Sequence, residues 1–311
     1  MIVPVANGER TLENCLKSIK QQTYSNVFLT LIVDDRSSDS TDKIAKRYAD
    51  KVLYSTGERT KKLNLALQAL PEGTDYVFWV DADMILHPEL VERLSHGASQ
   101  FNCDAFFVPE QIFGKFWNSR IRNFERPFFD GTPVDSVRFL SKAGIQKIGR
   151  LDEELFASAG GEEWDIDARI RATGKIGNLK FSTINISSKW DYEIKSYLER
   201  FRYLNLNKIS IFHDDGNLTF RKFLKKKKYY FRGIQQYQNA NLNDARYQHQ
   251  KMLSPLYRLF GVYFEEGKWK VIAKHPFMYS QILILRFILG VAFLSWRIRE
   301  PKKSGLDPYG L

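Results

Sequence analysis

Cysteine and histidine are scarce in this chain of 311 residues. Its two cysteines, Cys15 and Cys103, stand far apart without metal-ligand spacing, and its five histidines form no cluster. A disulfide-stapled secreted fold and a cysteine-histidine metal module are excluded, and both thiols are expected to be buried and reduced. No internal repeat is present, and the one low-complexity segment is Lys225–Lys228. Met1 runs straight into Ile2-Val3-Pro4, so no signal peptide is expected and the catalytic part is expected in the cytoplasm. Acidic residues are scarce late in the chain. Residues 1–180 hold 24 Lys/Arg against 26 Asp/Glu, whereas residues 181–311 hold 23 against 10, a net charge of +13. A near-neutral core and a basic tail that meets something anionic follow from that asymmetry.

What is present reads as alternating strands and helices. Ile2–Val5 is a short apolar strand, and Leu12, Cys15, Leu16 and Ile19 follow at helical spacing, with Thr11 placed to cap the helix. Val27–Val33, Lys51–Tyr54, Tyr76–Val80, Ala105–Pro109, Val134–Leu140 and Asn178–Ile186 read as further strands. Lys43–Tyr48, Lys61–Leu70, Pro88–Ser99, Ser141–Gly149 and Trp164–Thr173 read as helices, and Gln111–Asp130 shows no clean periodicity. Such alternation predicts an α/β fold with a mostly parallel sheet, whose ligands bind beyond the carboxyl ends of the strands. Three polar clusters lie at those ends: Asn7/Glu9, Asp34/Asp35 and Asp81/Asp83.

Asp81-Ala82-Asp83 carries the most chemistry. Two carboxylates at i and i+2 beyond a buried strand reach one hard cation such as Mg²⁺ or Mn²⁺, which shares its shell with a substrate phosphate. Asp pairs at strand ends also serve as plain turn residues. Asp34 or Asp35 can accept hydrogen bonds from a base and a ribose, or simply cap a turn with Ser37 and Asp39. Lys61 or Lys62 can neutralise diphosphate charge, or be a solvated helix start. Glu162, Glu163, Asp165 and Asp167 crowd a helix N-terminus, where acids suit the helix dipole and where one of them can also serve as a base.

In this order the motifs resemble those of the family-two glycosyltransferases, inverting enzymes of the GT-A fold. The matching pieces run from residue 2 to about residue 175. They are Val3-Pro4-Val5-Ala6-Asn7-Gly8-Glu9, Ile32-Val33-Asp34-Asp35-Arg36-Ser37-Ser38-Asp39, Lys61-Lys62-Leu63-Asn64, Asp81-Ala82-Asp83 and Gly161-Glu162-Glu163-Trp164-Asp165. The resemblance implies a nucleotide-sugar donor, a UDP- or GDP-sugar, contacted by Pro4, Asn7, Glu9, Asp34, Asp35, Lys62, Asn64, Asp81 and Ala82. It implies Mg²⁺ or Mn²⁺ on Asp83, with Asp81 beside it, and a base at Glu163, with Glu162 and Asp165 competing. Two departures stand out: Glu162-Glu163 replaces the usual Glu-Asp, and Thr60-Lys61-Lys62 replaces a Gly-Lys. A nucleotidyltransferase of similar fold is the alternative, but its Gly-rich basic loop after the first strand is replaced here by Asn7-Gly8-Glu9-Arg10.

The basic tail sets a boundary near residue 215, with a catalytic domain over 1–215 and a helical, membrane-associating region over 216–311. Leu218–Tyr230 mixes Phe220, Phe223 and Leu224 with lysines, a composition suited to an anionic membrane surface or to packing on the core. Phe277–Trp296 is long enough to cross a bilayer, but Gln281 and Arg286 interrupt it, which favours a membrane-embedded or interface-lying helix over a single crossing. The expected setting is the cytoplasmic face of the membrane, with a lipid-linked or glycan acceptor. No nucleic-acid partner is expected, because no RNA-binding signature accompanies the lysines.

Overall fold

The computed structural model describes residues 1–153, 161–178, 190–240, 254 and 256–299. Strands β1 (Ile2–Val5), β2 (Thr30–Val33) and β3 (Lys51–Tyr54) pair in parallel, in the order β1-β2-β3. The crossovers are helices α1 (Glu9–Lys20) and α2 (Thr41–Tyr48). A parallel bridge from Ile2 to Trp79 joins β1 to the end of β4 (Tyr76–Phe78). Beyond a short strand β5 (Met84–Leu86) come β6 (Ala105–Phe107), β7 (Glu110–Gly114), β8 (Val137–Ser141), β9 (Ile176–Asn178) and β10 (Ile211–Gly216). A second row runs β4-β8-β6-β9, with β8 antiparallel to both neighbours. Parallel pairings outnumber antiparallel ones, as the alternation predicts, and the antiparallel pairs are those of β8 with β4 and β6 and of β5 with β10.

Side chains alternate across this sheet, as strand geometry requires. Val3, Val5, Leu31, Val33, Phe78 and Val80 enter one core with Leu12, Cys15, Leu16 and Ile19 of α1 and with α4 (Leu90–Phe101). Ile2, Ile32, Val77 and Trp79 enter the other core, with Leu63 and Ala66 of α3 (Arg59–Gln68) and Ile166 and Ile170 of α7 (Gly161–Thr173). Each fully buried aliphatic side chain contributes about 1.5–3 kcal/mol. Cys15 and Cys103 are both buried and free, as their composition implies.

Several boundaries differ from those read in the sequence. Thr11 lies inside α1 and buried, and Gly8 stands at the helix start. The segment without clean periodicity contains β7 and α5 (Trp117–Glu125), which are short and interrupted by Lys115 and Phe116. β10 is also unanticipated. It holds β5 antiparallel on one side and β7 parallel on the other. Helix α6 (Lys142–Ile148) follows β8, and α8 (Tyr192–Glu199) precedes β10. Of the strand expected over Asn178–Ile186, all but Asn178 lies outside the described residues.

After β10 the described chain is helical, beginning with α9 (Phe220–Ala240) and ending with the helix Pro276–Arg299. Ile282 and Leu285 of that last helix pack with Phe223, Tyr263, Ile121, Phe128 and Phe129 in a separate apolar cluster. Arg286 does not interrupt an outward face. Its Nε lies 2.6 Å from Glu125 Oε1, and the Tyr263 hydroxyl donates to the same oxygen at 2.5 Å.

Candidate active site

The link between β4 and β5 carries Asp81 and Asp83, and everything around them is set by the strand register. Residues Ile211, Phe212 and His213 of β10 pair with Leu86, Ile85 and Met84. Asp214 N–H donates to the Asp83 carbonyl at 2.8 Å. That register brings His213 Nε2 to 3.4 Å from Asp83 Oδ2. On the other side, Trp79 N–H donates to Arg138 C=O at 3.2 Å, which sets Arg138 of β8 beside Asp81. Helices α3 and α7 bring their first turns to the same place, with Arg59 from one and Glu162 and Glu163 from the other.

Two arginines tie the acids together. Arg59 reaches Asp81 Oδ1 at 3.2 Å, Glu162 Oε1 at 3.1 Å and Glu163 Oε1 at 3.2 Å. Arg138 reaches Asp81 Oδ2 at 3.0 Å and Glu163 Oε1 at 3.6 Å. Burial alone would raise the Asp81 pKa, but Arg59 and Arg138 hold it well below the usual carboxylate range. Glu163 Oε2 accepts from the Ser136 hydroxyl at 3.0 Å. Glu163 keeps partial exposure, with 21% of its side chain open, whereas Glu162 is buried. Asp165 is fully buried, with Arg169 Nη2 2.6 Å from its Oδ2. Arg59 Nη2 is buried and has no partner among the described residues, so the cleft retains an unspent donor.

A second chain of contacts runs behind Asp83. His213 Nδ1 lies 2.6 Å from Glu110 Oε1, and Glu110 Oε2 lies 3.3 Å from Arg126, which also reaches Asp135 at 2.6 Å. Burial would lower the His213 pKa, but Asp83 and Glu110 outweigh it and raise it to about 10. Asp83 is also held below its ordinary value: burial opposes this, and His213 is the strongest cause in favour. Asp83 Oδ1 is buried with no hydrogen-bond partner among the described residues.

This set fits a divalent cation. Asp83 Oδ1 is orphaned while its Oδ2 faces His213 Nε2, and the other ring nitrogen is tied to Glu110, the arrangement that orients metal-bound histidines once a cation displaces the imidazole proton. Among the described residues no group of three His, Cys, Asp or Glu side chains is arranged to hold a metal. Asp83 and His213 would therefore leave most of the shell to a ligand such as a diphosphate. Asp81 is engaged by Arg59 and Arg138.

The remaining expected residues divide into scaffold and lip. Asp34 is buried under Lys62 Nζ at 2.7 Å and Arg36 Nε at 3.0 Å. The Arg36 hydrogen bonds, then Lys62, hold its carboxyl well below the usual range against the effect of burial. Asp35 is exposed beside it, and Lys61 is exposed on α3. Asn7, in a left-handed conformation at φ 46°, donates its N–H to Ser37 Oγ at 3.2 Å and accepts from Ser38 N–H at 3.0 Å. Glu9 N–H donates to Asp39 at 3.0 Å. Those contacts lock the first turn onto the second. Pro4 is half-buried in β1, and Ala82 is half-buried between the two acids. Asn64 is buried, braces Leu151 through both N–H and C=O at 2.9 Å and donates to Glu153 Oε1 at 2.8 Å.

Sequence reasoning missed Arg59, Arg138, His213 and Glu110. Arg59 had a local signal, a basic residue at a helix start two residues after Gly57. The others come from strands far apart in sequence, and only the pairing register brings them together.

Known proteins agree with this architecture. The family model for Glycosyl transferase family 2 matches residues 1–147. An uncharacterized glycosyltransferase of Rickettsia typhi is 31% identical over 96 residues, 30% of this chain and 29% of the relative. Poly(ribitol-phosphate) beta-N-acetylglucosaminyltransferase TarP of Staphylococcus aureus is 23% identical over 243 residues, 71% of this chain and 68% of the relative. The first relatives are thus matched over less than a third of their length, for instance 15% of glycosyltransferase GlyA of Streptococcus pneumoniae. In fold, the chain is similar to mannosyltransferase PcManGT from Pyrobaculum calidifontis, solved with GDP-Man and Mn²⁺. The TM-score is 0.56 at 12% identity, covering 96% of this chain and 86% of that one. The fold is GT-A-like, and residues 1–147 of the chain match the model of glycosyl transferase family 2.

Proposed function

We propose that this chain is an inverting glycosyltransferase, moving a sugar from a nucleotide-sugar donor to a hydroxyl of a lipid-linked or cell-envelope acceptor. The observation that carries this reading is the meeting of Asp83, Asp81 and Glu163 in one cleft, with Arg59 and Arg138 between them. Exposed Asp35 is placed to accept from a base or ribose, while Asp34 fixes the turn through Lys62. Asp83 and His213 would hold Mg²⁺ or Mn²⁺, which, when bound, supplies charge to stabilise a leaving diphosphate. Arg59 and Arg138 position Asp81 toward the donor and hold one oxygen of Glu163. The other oxygen, Oε2, takes the proton from the acceptor hydroxyl as the anomeric carbon is attacked from the opposite face. Ser136 donates to that oxygen and fixes its direction before acceptor arrives.

The tail supports a membrane setting. The helix Pro276–Trp296 is long and apolar enough to cross a membrane. Its face toward the protein is filled by Ile282 and Leu285, and Phe277, Ile284, Phe287, Val291 and Leu294 are exposed at helical spacing on the opposite side. Paired with Glu125, Arg286 faces the protein, so a helix lying in the interface with its outer stripe in lipid leaves no charge stranded. The lysine run is not one outward patch. Lys227 Nζ lies 5.6 Å from the Phe223 ring centre and 5.4 Å from that of Tyr230, against the body of the protein. Exposed Lys270 and Lys274, near the start of the last helix, suit the headgroups better.

The test is a thermal-shift and donor-hydrolysis series with UDP-, GDP- and dTDP-sugars in Mn²⁺. Protection by one nucleotide class supports the reading, and its absence for every nucleotide rejects it.

A further inference from the structure

Arg126 directly follows α5, and its side chain is only 14% exposed. Each nitrogen of its guanidinium meets a different carboxylate. Nε lies 3.3 Å from Glu110 Oε2, Nη1 lies 3.3 Å from Asp130 Oδ1 and Nη2 lies 2.6 Å from Asp135 Oδ1. A rigid planar fork fixes three directions at once, which an ammonium on a flexible stem cannot do.

Two of those arms lead to acids of the cleft. The Glu110 arm runs to the metal side. Glu110 Oε1 lies 2.6 Å from His213 Nδ1, and His213 Nε2 lies 3.4 Å from Asp83 Oδ2. With one oxygen on the ring and the other on Arg126, the buried Glu110 carboxylate cannot turn without breaking a contact. The Asp135 arm runs to the base side. Asp135 is buried, and its two oxygens accept Gly131 N–H at 3.0 Å and Ser136 N–H at 2.9 Å. It thereby shapes the turn that leads into β8. The next residue, Ser136, donates its hydroxyl to Glu163 Oε2 at 3.0 Å. Every step from Asp83 to Glu163 along this route is a side-chain contact or a single peptide link. Glu125, the residue before Arg126, binds Arg286 and Tyr263 instead and takes no part in the route.

We propose that Arg126 is a positioning residue for both halves of the site. Through Glu110 it holds the His213 ring toward Asp83 and a bound cation, and through Asp135 and Ser136 it sets the direction of Glu163. This inference rests on the glycosyltransferase reading and adds that metal binding and base placement are not independent. Coupled effects on the two ends, rather than proximity, are the evidence such a network requires.

The experiment uses the full chain. Mn²⁺ binding is read from the electron paramagnetic resonance signal of the free ion, with and without UDP or GDP. Turnover is read at saturating Mn²⁺ as hydrolysis of the sugar nucleotide that the wild type binds, with water in place of the acceptor. Glu110→Gln should weaken Mn²⁺ binding about tenfold, the usual scale for a residue that orients a metal-bound histidine. Ser136→Ala should leave Mn²⁺ binding unchanged and slow hydrolysis about tenfold, because Glu163 loses its fixed direction. Arg126→Lys should show both losses. Glu125→Gln should lower the urea midpoint and show neither. Arg126→Lys with either loss missing overturns the proposal. So does Glu125→Gln matching it in both, which makes the effect a general loosening of α5. If Arg126→Lys does not fold, or hydrolysis is too slow to read, Asp135→Asn decides by Mn²⁺ alone. It touches only the base side of the fork, so Mn²⁺ binding about threefold weaker is expected, and unchanged binding overturns the inference. A wild type that binds no Mn²⁺ under either condition rejects the metal reading as well. Mn²⁺ held equally by wild type, Glu110→Gln and Arg126→Lys rejects this inference alone.

Discussion

Replacing Glu125 by Ala tests how the basic tail is fixed to the catalytic unit. Glu125 is buried on α5, and one of its oxygens takes both Arg286 Nε at 2.6 Å and the Tyr263 hydroxyl at 2.5 Å. The guanidinium of Arg286 also lies 5.0 Å from the Phe129 ring centre, within the apolar cluster that holds the last helix. Removing Glu125 leaves a mostly buried cation without its counter-ion, a loss of about 3–5 kcal/mol, and orphans a buried tyrosine hydroxyl for about 1 kcal/mol more. Replacing both charges, as Glu125→Leu with Arg286→Met, removes the desolvation cost along with the attraction. The double variant should lie within about 2 kcal/mol of wild type. Urea unfolding followed by tryptophan fluorescence measures all of these. A cost below about 1 kcal/mol for Glu125→Ala, or a double variant that loses the full sum of the singles, would refute the reasoning. Arg286 would then be solvated and not docked, and the outward apolar stripe of the last helix would lose its structural basis.

Asp83→Ala should abolish Mn²⁺-dependent nucleotide binding, read by calorimetry with and without EDTA, while the unfolding midpoint stays close to wild type; unchanged binding in EDTA would reject the metal assignment. Glu163→Gln should bind donor normally and lose turnover by roughly 10²-fold or more. If it turns over near-normally while Glu162→Gln is dead, the base is Glu162. Asp167→Asn should stabilise the protein in a pH-dependent way. Burial raises the Asp167 pKa from 3.8 to about 6, against the pull of Arg171. The native state therefore holds more protons than the unfolded chain between those values, and stability falls as pH rises through that window, by up to about 3 kcal/mol. The gain from Asn should be largest above pH ~6 and gone near pH ~4, and a gain of equal size at both ends would contradict this. Phe287→Asp should weaken binding to vesicles containing anionic lipid at every salt concentration, because it places a charge in the lipid-facing stripe; vesicle flotation equal to wild type would count against the interfacial helix.

The sequence by itself determined the alternation of strands and helices, because apolar periodicity is local and the β1, α1, β2 and β4 segments carry it strongly. It also placed Asp81, Asp83, Asp34 and Glu163 at the ends of elements that a parallel sheet brings to one rim. It could not determine what those residues do there. Asp34, Asn64 and Asp165 match motif positions, yet their side chains are committed to Lys62, to Leu151 and to Arg169. Short strands with mixed direction, β7 and β10 above all, carry too few residues for a clear period and are held by neighbours far off in the chain. Pairing register alone sets His213 of β10 beside Asp83, with Glu110 of β7 behind it, and sets Arg138 of β8 beside Asp81. Whether a charge such as Arg286 faces lipid or protein is likewise invisible in composition. It depends on a carboxylate 161 residues away in sequence that the fold brings to within hydrogen-bonding distance.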